Sequence, residues 1–322
     1  MKPKVLVVAD RLGWAVDRLC KPLAEMNDNI DIAYHNTSEK RYLDTGYSKK
    51  GSGIHYLPER TDEYDIVHFH RVDASMVGIG KVKARKIISI HTERDDYNNV
   101  DFEKHFDDII CSTKYNYERY KEKYPKCKVH YIPQCIDLDH FNFEMRNVES
   151  NKVGFVGRIL PHKRYAMAKK ATYDAGMYFT GCGYVESANE YSMYCDKIKS
   201  GEHYSYGIFI PENEMLEFYR KMKVFICISE LRVETGPLPI LEAMSMGVPI
   251  IATRVGWAKD NCTHLENIYF VEEDELDNLA IILRKVSNDK KLLNDLIIGG
   301  LKLIKDYGLD VWSQKHNEIY EN

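Results

Sequence analysis

Two successive series of short β-branched runs, each alternating with stretches of helical periodicity, constrain this chain more than any other feature. In the first half the runs are Val5–Val8, Ile30–Tyr34, Ile66–Phe69, Ile87–Ile90, Ile109–Cys111 and Val129–Ile132. The second half repeats the arrangement with Val153–Val156, Met177–Thr180, Tyr206–Ile210, Val224–Ile228, Pro249–Ala252 and Ile268–Val271. Between them lie amphipathic stretches such as Trp14–Glu25. Strands that alternate with helices in this way build parallel α/β sheets, and two series imply two doubly wound domains. A chain of 322 residues is long enough to bury a core in each. The polar stretch Asn142–Asn151 carries no strand pattern and reads as the linker. The expected divisions are 1–148, 149–308, and a helix over 309–322 that crosses back to the first domain.

Composition narrows the function classes. The halves do not separate by charge: residues 1–150 hold 24 Lys and Arg against 25 Asp and Glu, and the whole chain carries −4. This balance argues against a dedicated nucleic-acid binder. One basic run, Lys81 to Lys86, could meet phosphates or anionic lipid, or simply form a solvated face. The eight cysteines are scattered without a C-x-x-C pair, as expected of buried, reduced thiols. The apolar run Val5–Val8 is too short for a signal-peptide core, and no apolar run approaches the roughly 20 residues of a membrane span. A cytoplasmic chain is expected.

The residues that carry chemistry concentrate in the second half. Glu234-Thr-Gly-Pro-Leu-Pro-Ile-Leu-Glu242 reads as a turn through Gly236 that opens into a helix, with Pro239 at the first helical position. The start of that helix, at Leu238, Pro239 and Ile240, would aim free N–H groups and a positive dipole end at an anion. Glu234 and Glu242 would flank the same opening, and carboxylates accept paired hydrogen bonds from sugar diols. Equally, Glu242 could do no more than satisfy its own helix terminus. In the second segment, Gly154-Phe-Val-Gly157-Arg158 with Lys163, a strand ends at a glycine that admits close backbone approach. Arg158 and Lys163 there could clamp a diphosphate. Gly183, in Thr180-Gly-Cys-Gly183, ends another strand in a turn. Pro211 opens a helix whose start could hold a nucleobase rim, or could be a plain cap.

In the first half His91 follows an apolar strand, and a residue at the carboxyl end of a parallel strand faces the ligand crevice. His68 and His70 close the preceding strand; His91 is the favoured site residue of the three. No metal site is expected, and the position of Asp137-Leu-Asp139 near the linker argues against a metal-binding role.

Together these segments resemble the retaining glycosyltransferases of the GT-B fold, and glycosyltransferase family four within them. The matching pieces run in order: Ser89-Ile-His91-Thr92, Ile132-Pro-Gln-Cys-Ile-Asp137, Gly157-Arg158 with Lys163, Thr180–Gly183, the Glu234 and Glu242 pair with Gly247-Val-Pro249, and the Trp312 to Tyr320 tail. The resemblance implies two Rossmann-like domains facing across a cleft. It implies that Arg158 and Lys163 neutralise a donor diphosphate, that Glu242 holds ribose hydroxyls, and that Glu234 holds hydroxyls of the transferred sugar. His91 would reach the reacting centre from the acceptor domain, together with Gly13, Trp14 and His70. Hexose transfer from a UDP- or GDP-sugar, UDP-glucose first and GDP-mannose next, would retain configuration without a metal or other cofactor. The acceptor would be a glycan or lipid-linked saccharide, with peripheral membrane contact.

The sequence departs from the family pattern at Pro237, which removes a backbone donor, at Asp10–Trp14, which has a single glycine, and at Trp257. Narrower pockets are expected at the last two. Three alternatives stay open: glycosyl transfer to modified DNA bases, a sugar-nucleotide epimerase, and a silent sugar-nucleotide-binding subunit.

Overall fold

The structure, a computed structural model, describes residues 2–9, 16–34, 61–70, 79–93, 100–144, 150–157, 159–183 and 212–322. Gly13, Trp14, Arg158, Pro211 and the run Tyr206–Ile210 lie outside the described residues. Contacts divide the chain into two compact units, Met1–Cys135 with Tyr307–Asn322, and Ile136–Asp306. The first division therefore falls earlier than the 148/149 boundary expected from polarity, and the second falls at 306/307. The reason for the first is aromatic. Phe141 is fully buried against Tyr219, with ring centroids 6.3 Å apart, and Glu144 pairs with Arg220 at 2.9 Å. These contacts bind the apparent linker into the second unit.

In the first unit, β1 (Val5–Ala9), β2 (Ile30–Tyr34), β3 (Ile66–Phe69), β4 (Arg85–Ile90), β5 (Asp108–Cys111) and β6 (Lys128–Tyr131) form one sheet in the order β2-β1-β3-β4-β5-β6. Every pairing is parallel. β1, β3 and β5 are buried along their whole length, which explains why they read as unbroken apolar runs rather than alternating ones. The helices are α1 (Asp17–Glu25), α2 (Phe102–His105) and α3 (Lys114–Lys123), the last capped by the Thr113 hydroxyl, which accepts from Asn116 N.

The second unit has β7 (Lys152–Val156), β8 (Tyr178–Cys182), β9 (Val224–Cys227), β10 (Ile250–Ala252) and β11 (Tyr269–Phe270), ordered β11-β10-β9-β7-β8 and again all parallel. Its helices are α4 (Tyr165–Asp174), α5 (Glu212–Arg220), α6 (Leu238–Ser245), α7 (Gly256–Asn261), α8 (Leu279–Asn288) and α9 (Lys290–Ile304). The strand order reverses between β7 and β9, because β8 lies on one side of β7 and β9 on the other. The connections after these two strands diverge, and the crevice at their carboxyl ends is the preferred ligand position of an open α/β sheet. No helix among the described residues is long and apolar enough to cross a membrane.

The C-terminal helix, Leu309–Tyr320, belongs to the first unit and is held there by polar contacts at both ends. Asn27 donates to Ser313 Oγ at 2.9 Å and accepts from Asn317 at 2.8 Å. At the other end His68 Nδ1 lies 2.7 Å from the Tyr320 hydroxyl, and Arg85 Nη1 donates to the Ile319 carbonyl at 3.0 Å. The same guanidinium donates twice to Asp108, at 2.8 and 2.9 Å, and His130 Nε2 lies 2.8 Å from Asp108 Oδ1. Burial alone would raise the Asp108 carboxyl; the hydrogen bonds from His130 and Arg85 outweigh it and hold the group below its usual range.

The basic run at 81–86 is divided: Lys81 and Lys83 are exposed, while Arg85 and Lys86 are engaged. Arg85 is spent on Asp108 and the helix end, and Lys86 Nζ donates to the carbonyls of Val82 and Ala84. Removing Arg85 would leave a buried carboxylate short of its main cation, a loss of about 3 kcal/mol in comparable sites. Arg85→Met is therefore expected to lower the urea midpoint markedly, and adding Asp108→Asn to recover part of the loss. Additive losses in the double variant would show that the two side chains are not coupled.

Candidate donor site at the carboxyl edge of the second sheet

β7 ends at Gly157, whose φ of +143° lies where a side chain is strained. Its N–H donates to the Cys182 carbonyl at 3.0 Å, and a side chain at Gly183 would stand 2.2 Å from the Gly157 oxygen. Gly183 is thus required for two strand ends to meet, which gives the glycine turn a packing reason. After Gly157 the chain enters a single 3-10 turn, Pro161–Lys163, closed by Arg164 in the left-handed region at φ 53°. A non-glycine residue there is costly and persists because its surroundings fix it. Arg164 pairs with both oxygens of Glu273, at 2.7 and 3.1 Å. The Glu230 N–H donates to the His162 carbonyl at 2.8 Å, tying this turn to the segment that follows β9.

That segment carries Glu234. Lys163 Nζ lies 2.8 Å from Glu234 Oε1, and His162 Nε2 lies 3.4 Å from the same oxygen. All three side chains are nearly buried, at 13–16% exposure. Burial by itself would raise the Glu234 carboxyl. The Lys163 charge and the hydrogen bonds of His162 and Lys163 overcome that and hold it at about 2, so the group is an anion at neutral pH. Oε1 is the oxygen that both partners approach most closely. Cys227, at the end of β9, is pushed up to about 11 by burial and supplies no thiolate at this edge.

Beyond Glu234 the chain passes Gly236 and Pro237 into α6, which begins at Leu238, so Pro239 takes the second helical position rather than the first. Its missing N–H is still one of the groups without an intrahelical partner. The Ile240 N–H is not free: it donates to the Pro237 carbonyl at 2.8 Å. Among the described residues the N–H groups of Gly236 and Leu238 donate to no backbone oxygen, and these remain for an anion. Glu242 is 1% exposed, and its Oε2 accepts from the Tyr219 hydroxyl at 2.6 Å. A side chain at Gly256, which has φ +46°, would stand 2.5 Å from the Glu234 carbonyl oxygen, so glycine lets α7 start against that segment. Trp257, next to it, is fully buried, and its backbone N–H donates to the Thr235 carbonyl at 2.7 Å. It fills the core instead of narrowing a pocket. Asp137 Oδ1 accepts from the backbone N–H groups of Asp139 and His140, a turn-capping role.

In the first unit, His70 and His91 follow β3 and β4. His70 is 1% exposed and its Nδ1 lies 3.1 Å from His91 Nε2, so it stands behind His91 rather than open to a ligand. His91 is half-buried and also lies 3.5 Å from the Gln134 amide. It lines a cavity of about 10 Å³ with Ser112, Gln134, Trp312 and His316. His68 is buried between Ser89 and Tyr320. Among the described residues no group of three or more His, Cys, Asp or Glu is arranged to hold a metal ion.

A family model described as glycosyl transferases group 1 matches residues 138–302, just over half of the chain. The chain belongs to that family. It is 26% identical over 103 residues to an uncharacterized glycosyltransferase of Haemophilus influenzae, 32% of this chain and 29% of that relative, so the match spans under a third of the relative's length. Among solved structures, it superposes on HepE of Anabaena in complex with UDP-glucose with a TM-score of 0.73 and 12% identity, over 98% of this chain and 99% of that one. Sucrose-phosphate synthase of Thermosynechococcus elongatus gives 0.70 and 13%, over 98% of both. At these identities the likeness is one of fold, and the fold is that of GT-B glycosyltransferases. For this member of the glycosyl transferases group 1, the match covers the Lys163, Glu234 and Glu242 segments but not His91. The sequence had pointed to both acids and to Lys163. It had not pointed to His162 or Tyr219, whose only sequence signals are adjacency to Lys163 and a place on α5.

Burial pushes His91 and His316 down to about 4, and His68 and His70 well below the usual histidine range, with neighbouring imidazoles adding repulsion. The unfolded chain takes up these protons near pH 6.5 and the folded chain does not. This contribution to stability is complete above about pH 6.5 and declines as pH falls toward 4, by up to about 1.4 kcal/mol per unit for each histidine. Urea midpoints are expected to drop between pH 7 and pH 5, above the range in which carboxylates titrate. Equal midpoints would contradict the neutral cluster.

Proposed function

We propose that this glycosyl transferases group 1 member moves a hexose from a nucleotide-diphosphate sugar, UDP-glucose first, to an acceptor hydroxyl with retention of configuration. The reading rests on one observation: Lys163 and Glu234 meet at 2.8 Å at the switch point between β7 and β9, beside the start of α6. A cation and free helix N–H groups suit a diphosphate. An anionic carboxylate whose ion pair is made through Oε1 suits a diol of the sugar ring. Arg158, next to Gly157 in sequence, is the second cation assigned to the diphosphate, and Glu242, steadied by Tyr219, is assigned to the ribose hydroxyls.

In the reaction the bond from the anomeric carbon to the diphosphate oxygen breaks, and a bond to the acceptor oxygen forms on the same face. The acceptor proton passes to the departing diphosphate. Lys163, Arg158 and the α6 N–H groups stabilise the charge that develops on the leaving group, so the step calls for no metal. Cys227 is protonated and Glu234 is assigned to the sugar hydroxyls, which leaves no residue assigned as a nucleophile for a double displacement. HepE, crystallised with UDP-glucose, supports the choice of donor. A glycan or lipid-linked saccharide is the acceptor class proposed. The engagement of Arg85 and Lys86 inside the first unit leaves two exposed cations in the basic run, Lys81 and Lys83, a small footprint for a DNA acceptor.

Glu234→Ala, Lys163→Ala and Arg158→Ala are each expected to reduce transfer by at least about 100-fold, the scale of losing a group that stabilises the transition state. Circular dichroism should be unchanged. Transfer at the native rate by all three would remove this assignment. Conversion of UDP-glucose into another sugar nucleotide without acceptor would favour the epimerase instead.

A further inference from the structure

We infer that His162 is a positioning residue for Glu234, one that sets how the carboxylate meets the transferred sugar; the inference rests on the donor-site reading above. The argument begins with which oxygen is held. The shortest approaches of His162 Nε2 and Lys163 Nζ are both to Oε1, at 3.4 and 2.8 Å. Lys163 alone, a point charge on a flexible four-carbon stem, pulls on a carboxylate without fixing its rotation. The imidazole is a rigid ring, and an Nε2–H donor at Oε1 from a second direction fixes the plane of the carboxylate. Oε2 is then presented in one orientation for a ligand hydroxyl.

The backbone holds the ring in place. His162 is the central residue of the 3-10 turn, its carbonyl accepts from Glu230 N, and the left-handed Arg164 that closes the turn is clamped by Glu273. The turn is thus tied to the segment that carries Glu234 by a main-chain bond and held at its other end by an ion pair, which restricts where His162 stands relative to Glu234. A carboxylate fixed in advance loses less freedom when it accepts paired bonds from a diol. The effect of His162 should thus appear in recognition of the sugar and not of the nucleotide.

The test is isothermal titration with UDP-glucose and with UDP, or with GDP-mannose and GDP if the wild type binds that pair. His162→Leu is expected to weaken the sugar nucleotide about tenfold while leaving the bare nucleotide within twofold, and to raise KM for the donor more than it lowers kcat. His162→Gln, which keeps an N–H donor near the place of Nε2, is expected to return the ratio to within threefold of wild type. A merely structural role would move both ligands together. Should the leucine variant melt below the assay temperature, His162→Asn, whose amide stops short of Oε1, serves as the loss variant. The proposal is overturned if the loss variant keeps the wild-type ratio while Glu234→Ala abolishes it. If Glu234→Ala also keeps the ratio, the donor-site reading itself falls, and the role of His162 falls with it.

Discussion

A carboxylate withdrawn from water must be paired, and the pairing of Glu234 organises the second unit's carboxyl edge. Its partners, Lys163 and His162, sit on the turn after β7, while Glu234 follows β9. The two segments are far apart in sequence and adjacent in the sheet, because β9 joins β7 directly. Three glycines give the approach its room: Gly157 and Gly183 where β7 and β8 end together, and Gly256 where α7 closes on the Glu234 segment. Gly183 and Gly256 are required by close backbone approach, and Gly157 by its positive φ.

The first unit solves a different problem. It buries imidazoles at the ends of β3 and β4 and at His316, keeps them neutral by burial and mutual repulsion, and gives them hydrogen-bond partners in Ser89, Tyr320, the Trp312 carbonyl and one another. The C-terminal helix supplies two of those partners and is itself held through Arg85 and Asn27. Chain tail, histidine cluster and the Arg85–Asp108 pair therefore form one cooperative polar network. In such a network the loss of one member leaves others buried and unsatisfied.

Strand positions were legible because buried parallel strands leave a strong mark. Ile30–Tyr34 and Ile66–Phe69 match the structure to the residue, and the other described strands differ by one or two at their ends. The domain boundary was less legible, since polarity around Asn142 suggested a linker while Phe141 and Phe143 pack into the second unit. Pro239 was placed one helical position too early. Whether Ile240 offers its N–H depends on how the first turn closes, and the turn gives that N–H to Pro237.

The sequence by itself determined the α/β class through periodicity, and pointed to the acids and lysine of the candidate donor site through residue types at short, fixed spacing, while the family came from the resemblance of those motifs. Only the tertiary structure decided who stands beside whom. That His162 shares an oxygen of Glu234 with Lys163, that Tyr219 reaches Glu242, and that Arg85 turns inward all depend on strand order and side-chain direction. Sequence spacing carries no record of strand order, because that order is fixed when the sheet assembles.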